Sequence, residues 1–226
     1  MQFNIGPIPQ AREFYPEEGC WNRLREPGPG MMQLLALPVA LTVGAFLGLA
    51  SHHLGVLDFE TLLPGPPDDL GEGSARLVLT LLGLLLALLH LLGVILLIIL
   101  VHEGIHLLTH PGQGRRRDSI LGLWPRRLLV YAHWDGELTR NRFLLILAAP
   151  FVCISLLPLA AVGLGLLESS WIGTISLFNG LAACGDVLGV IMIGTQVPAS
   201  AIVRNKGYYT WWRRVEAETE TGEAGD

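Results

Sequence analysis

Hydrophobic and polar positions are segregated into blocks along this chain. Leu77 to Val101 runs for 25 residues without a charge, and so does Phe143 to Leu167. An amphipathic helix of a soluble protein would show a polar face every third or fourth residue. A run of 18 or more apolar residues is instead long enough to cross a bilayer. The pattern predicts four spans. They cover about Met32 to Ala50, Leu77 to His110, Phe143 to Leu167 and Trp171 to Pro198. Pro150 and Pro158 lie inside the third span and predict kinks there.

The polar stretches between the spans carry weaker signals. Leu128-Leu129-Val130-Tyr131 is strand-like, Asp135-Gly136 is a tight-turn pair, and Glu137-Leu138-Thr139 is positioned to return as a second strand, with an irregular loop as the alternative. The expected fold class is therefore an all-α integral membrane protein. It is a four-helix transmembrane bundle with a small cytoplasmic β-hairpin. The organisation expected is a cytoplasmic N-terminal segment (1–30), a four-span membrane domain (31–203), and a cytoplasmic anchor with an acidic disordered tail (204–226). No internal repeat is visible.

Composition agrees with the block pattern. Half of the chain is hydrophobic and only 15% is charged, too little charge to cover a soluble domain. The net charge of −5 comes from one tail, Glu216, Glu218, Glu220, Glu223 and Asp226, and says little about partners. No basic face with interleaved aromatics suggests nucleic acid. Cys20, Cys153 and Cys184 are far apart and read as free thiols. The first 30 residues are polar and rich in Pro and Gly, so the apolar run from Met31 reads as a retained span rather than a cleaved signal.

Basic residues orient the bundle. Arg12, Arg23 and Arg25 precede span one. Seven arginines lie between spans two and three, and Arg204, Lys206, Arg213 and Arg214 follow span four. The other two loops hold only Arg76. Basic loops stay in the cytoplasm, so both termini and the 111–142 loop are expected there, as in a multi-pass protein of a prokaryotic plasma membrane. Trp211 and Trp212 beside Arg213 and Arg214 read as an interfacial anchor.

Span two ends in His102-Glu103-Gly104-Ile105-His106. Residues four apart share a helix face, so the two imidazoles can bind one zinc ion. Glu103 can then reach a water at that metal and act as general base. Ionisable side chains inside a membrane segment are expensive and rarely lack a role. A catalytic zinc site normally has three protein ligands, so a third is needed. Asp186 is the one acidic residue deep inside another span, and Asn179 lies two helical turns before it. Gly180, Cys184, Gly185 and Gly189 would let another helix approach. His110 and His133 are rival third ligands. His90, in mid-span two, suits a hydrogen bond to a neighbouring helix or, in a different class of function, a haem axial ligand. Depth needs reconciling. Leu77 to His102 is roughly 38 Å of helix and Trp171 to Asp186 roughly 23 Å. Tilt, a break in span four or an extracellular extension of span two must absorb the difference.

His102-Glu103-x-x-His106 closing one span, followed by Asn179 and Cys184-Gly185-Asp186 in a later one, resembles the zincin peptidases of the DUF3267 type. These are distantly similar to the site-2 proteases, which cut peptides inside membranes. The resemblance extends over about Leu77 to Trp212, including Ala149-Pro150 and Gln196-Val197-Pro198. It implies that His102, His106 and Asp186 bind Zn2+, that Glu103 is the catalytic base, and that Asn179 assists substrate or oxyanion binding. It also implies that the 128–139 region offers an edge to an extended substrate. The chain departs from the site-2 pattern, which has Asn-x-x-Pro before the aspartate and Gly after it. Here Gly180-Leu181-Ala182 follows Asn179, and Gly185 precedes Asp186. The expected function is zinc-dependent hydrolysis of a peptide or membrane-protein substrate near the cytoplasmic membrane boundary. The alternative is a zinc-binding membrane protein with a regulatory role and no protease activity.

Overall fold

The computed structural model describes residues 1–11, 13–58 and 74–215. Arg12 and the acidic tail from Glu216 onward lie outside the described residues. Helix α1 (Pro29–His53) begins at a proline, which the first turn tolerates because its missing N–H would be unpaired there anyway. Helix α2 is Ser74–Thr109. The next helical column is composite: α3 (Arg140–Pro150), a π-helical turn over Phe151–Leu156, and α4 (Leu157–Gly163). Helices α5 (Trp171–Ala182) and α6 (Cys184–Gln196) follow, bent by 56° at a short break. Among the described residues, three columns are long and apolar enough to cross a membrane, or four if the bent pair is one span. The outer surface of α2 explains that reading. Leu81, Leu85, Leu88, Leu92 and Leu96 are each about half exposed, an apolar area that an aqueous monomer rarely shows.

Small residues set the helix spacing. A Cβ at Gly180 would overlap the Leu47 side chain of α1, and one at Gly173 would overlap the Val56 carbonyl. Leu47 is fully buried in a cluster with Val56 and Leu159. Gly189 meets Leu147 of α3, whereas Gly185 faces open space.

The all-α expectation is corrected by two sheets. The first has the order β1-β3-β4, from β1 (Gln2–Ile5), β3 (Ser119–Trp124) and β4 (Leu129–Trp134). The second has the order β2-β7-β6-β5, from β2 (Asn22–Arg23), β5 (Leu138–Thr139), β6 (Ala201–Lys206) and β7 (Tyr209–Arg214). The expected hairpin is also re-paired. β4 pairs with the earlier strand β3, Gly122 opposite Tyr131, and turns through Pro125–Arg127 with Leu128 at φ 48°. Asp135-Gly136 is not that turn. The Asp135 N–H bonds to the Asp118 carbonyl and continues the ladder. Leu138–Thr139 leaves for the second sheet, pairing with Val203 and Ile202. The physical cause is burial on alternate residues of β6, where Ala201 and Val203 are buried. These pack with Leu24, Ile193, Val197, Phe143 and Trp212 and fasten the sheet to the end of α6. Trp212 therefore helps to close this core.

Candidate metal centre

His102 and His106 stand one turn apart on α2, both buried, with Nε2 atoms 3.1 Å apart. Asp186 lies in the first turn of α6, where a carboxylate suits the positive end of the helix dipole. Its Oδ2 is 2.9 Å from His102 Nε2 and 3.3 Å from His106 Nε2. Among the described residues these three form the group whose ligand atoms all lie within 4.8 Å of one another.

The far side of each ring decides what the near side can do. His106 Nδ1 is 2.8 Å from the Ile146 carbonyl, which can only accept, so Nδ1 carries the hydrogen and donates. His102 Nδ1 is 2.9 Å from Asn179 Oδ1. The amide of Asn179 is oriented by its Nδ2, which donates to the Pro150 carbonyl at 3.2 Å and to Ser155 Oγ at 2.8 Å. Its oxygen therefore faces His102, whose Nδ1 also donates. Both Nε2 atoms then present lone pairs toward each other and toward a carboxylate. A proton on one nitrogen would serve one contact and leave the other unmatched. A cation serves all three, and two imidazoles with a carboxylate suit zinc. Outer partners that fix the tautomer are the normal support of ligating histidines.

Glu103, next to His102, is buried. Its carboxylate takes a hydrogen bond from the Ala132 backbone, and its Oε2 has no partner. That contact fixes the aspect of β4. With the Ala132 N–H spent on Glu103 and Asp135 bonded to Asp118, residues 129, 131 and 133 bond to β3. Val130, Ala132 and Trp134 then turn their backbone groups the other way. β4 is an edge strand. It lines a cavity of about 430 Å³ together with His102, Glu103, His106 and Asp186.

The other candidates stand apart from this cluster. His110 is fully buried with Nδ1 3.2 Å from Ser119 Oγ, and burial pushes its imidazole down to about 4. His133 is buried on β4, and burial pushes it down to about 4 as well. Both line the cavity without joining the three converging ligand atoms. His90 is exposed on α2. Asn179 is fully buried and sits behind His102, away from the cavity lining. The residues missed in the sequence are Ile146, Ser155 and Ala132. Two of them act through backbone atoms, which no residue type signals.

Residues 95–202, just under half of the chain, match the DUF3267 family model, described as "putative zincin peptidase". No curated protein and no solved structure matches the chain.

Proposed function

From the match of residues 95–202 to a zincin peptidase family, we propose that this chain is a membrane-embedded zinc metallopeptidase. It hydrolyses peptide bonds near the cytoplasmic membrane boundary. The observation that carries this reading is the convergence of His102, His106 and Asp186, with Glu103 beside them in the same cavity. Zinc held there would lower the pKa of a water to about 7 and polarise the scissile carbonyl.

The chain's own groups divide the remaining work. Glu103 takes a proton from the attacking water at Oε2, the oxygen left without a partner, and returns it to the leaving amine. The Ala132 N–H holds the other end of that carboxylate in place. The outer edge of β4 receives the substrate backbone as an added strand, through the outward backbone groups of Val130 and Trp134 on either side of the committed Ala132 N–H. Asn179 orients His102 instead of binding an oxyanion, because its amide nitrogen is already committed to Pro150 and Ser155. Membrane lipid surrounds α1, α2 and the composite column.

The orientation has two supports. Fourteen of the fifteen basic residues fall in the N-terminal segment, the 111–142 loop and the segment after α6. Strands from those three segments also pair with one another, β1 with β3, β2 with β7 and β5 with β6. A strand ladder cannot reach across a bilayer, so the three segments share one face.

The test is Glu103→Gln. The amide cannot take a proton, so zinc content should stay at the wild-type level while cleavage of a membrane-tethered peptide reporter is abolished. Cleavage surviving in Glu103→Gln would end the peptidase reading.

A further inference from the structure

We propose that Pro150 is a positioning residue for the metal centre: its missing N–H reserves the Ile146 carbonyl for His106, and its own carbonyl orients the amide that holds His102. The inference rests on the metal-binding part of the proposed function and is independent of peptidase activity.

In an α-helix the carbonyl of residue 146 accepts from the N–H of residue 150. Here residue 150 is proline, which has no N–H. The next N–H along, that of Phe151, is bonded to the Ala148 carbonyl. The Ile146 carbonyl is thus left without either neighbouring main-chain donor. In an apolar surrounding an unpaired carbonyl is costly, and a helix-interior proline is tolerated only where another group pairs with what it frees. That group is His106 Nδ1, 2.8 Å away.

The same disruption reaches the other histidine. After Pro150 the helix widens into the π turn of Phe151–Leu156, where the Leu157 N–H reaches back to Val152. Turns of this kind concentrate at functional sites. Asn179 donates to two groups of this stretch, the Pro150 carbonyl and Ser155 Oγ. Ser155 in turn donates to the Ser176 carbonyl at 2.9 Å. Ser155, Ser176 and Asn179 are all fully buried, so nothing from solvent competes for these bonds. The Asn179 oxygen that remains meets His102 Nδ1. One break in the third column therefore sets the tautomer of both histidines, on their faces away from Asp186.

A purely architectural role for the proline predicts something different. Replacing a helix-interior proline by alanine adds a backbone hydrogen bond and should leave the metal-free protein as stable as before or more so. The proposal predicts that the new N–H of residue 150 competes with His106 for the Ile146 carbonyl. Zinc affinity of full-length detergent-solubilised protein, measured by competition with a chelator, should fall by about 10–100-fold in Pro150→Ala. The melting temperature of the metal-free form should not fall. Placing the α-hydroxy-acid analogue of alanine at position 150 removes the N–H again and should restore wild-type affinity. Pro158→Ala adds an N–H to the same column opposite the Ile154 carbonyl, which bonds neither histidine nor Asn179, and should leave zinc binding unchanged.

Wild-type affinity in Pro150→Ala would overturn the proposal. So would a loss in the hydroxy-acid form equal to that in Pro150→Ala, a readout that stands even if the alanine variant fails to accumulate. An equal loss in Pro158→Ala would assign the effect to helix shape and overturn it too. Failure of the metal-centre reading looks different, since wild-type protein would then bind no zinc for any of these changes to weaken.

Discussion

Helix α2 runs without a break for 36 residues and carries His102 and His106 one turn apart, whereas Asn179 and Asp186 stand on either side of the 56° bend between α5 and α6. On a straight helix the second pair would be separated by about 10 Å along the axis. Yet Asn179 meets Nδ1 and Asp186 meets Nε2 of one ring, that of His102. Regular helix geometry is enough to present two nitrogens to one ion. To grip the same ring from its opposite sides, the chain has to break. The bend also gives Asp186 a place in the first turn of α6, where the free N–H groups favour its negative charge.

The comparison is sharpened first at Asp186. Asp186→Ala removes the carboxylate that the bend delivers and that we propose as the third ligand, and zinc affinity should fall by more than about 100-fold, beyond the range of an outer partner. Asp186→Asn should fall comparably, because it keeps hydrogen bonding but loses the charge. Retention of full zinc by both variants, read by chelator competition, would detach α6 from the site. Next comes the other side of the bend. Asn179→Ala leaves His102 Nδ1 without its acceptor, and the loss should be about 10–100-fold. A larger loss there than at Asp186 would reverse the assignment of ligand and support.

How much of this was legible in the sequence follows the same division. Periodicity is a local signal, so the α2 histidines and Glu103 could be read directly from their spacing. The third column's prolines also announced a departure from regular helix. The bend could be posed only as one of three ways to reconcile the unequal helix lengths, because Ala183 carries no breaker signal. The sheets were harder still. The strand β3, Ser119–Trp124, pairs with β4, and β5 with β6 across more than sixty residues of sequence. Such partners are chosen by burial in the assembled fold, as at Val203, and Asp135-Gly136 misled because a turn dipeptide also suits a corner between two sheets. The groups behind the histidines were hidden for another reason. A carbonyl such as that of Ile146 is present at every residue, and only the proline four places on makes this one available.

Two smaller effects complete the comparison. Gly180 lets Leu47 of α1 seat against α5 just before the bend. Gly180→Leu should overpack this contact and cost about 1–3 kcal/mol of stability, seen as a lower melting temperature in detergent. An unchanged melting temperature would mean that the α1–α5 contact does not support the broken pair. The smallest effect is expected at the rival histidines. His110 is committed to Ser119, and neither His110 nor His133 joins the converging group. His110→Ala and His133→Ala should therefore leave zinc affinity unchanged within measurement error. Loss of zinc in His110→Ala would move the third ligand onto the segment that follows α2.

The most direct measurement is the metal content of purified full-length protein, prepared without chelator, with and without the two α2 histidines. The account predicts one zinc per wild-type chain and none in the His102→Ala/His106→Ala double variant. Metal-free wild-type protein that takes up no added zinc, or a double variant that keeps the wild-type amount, would contradict it.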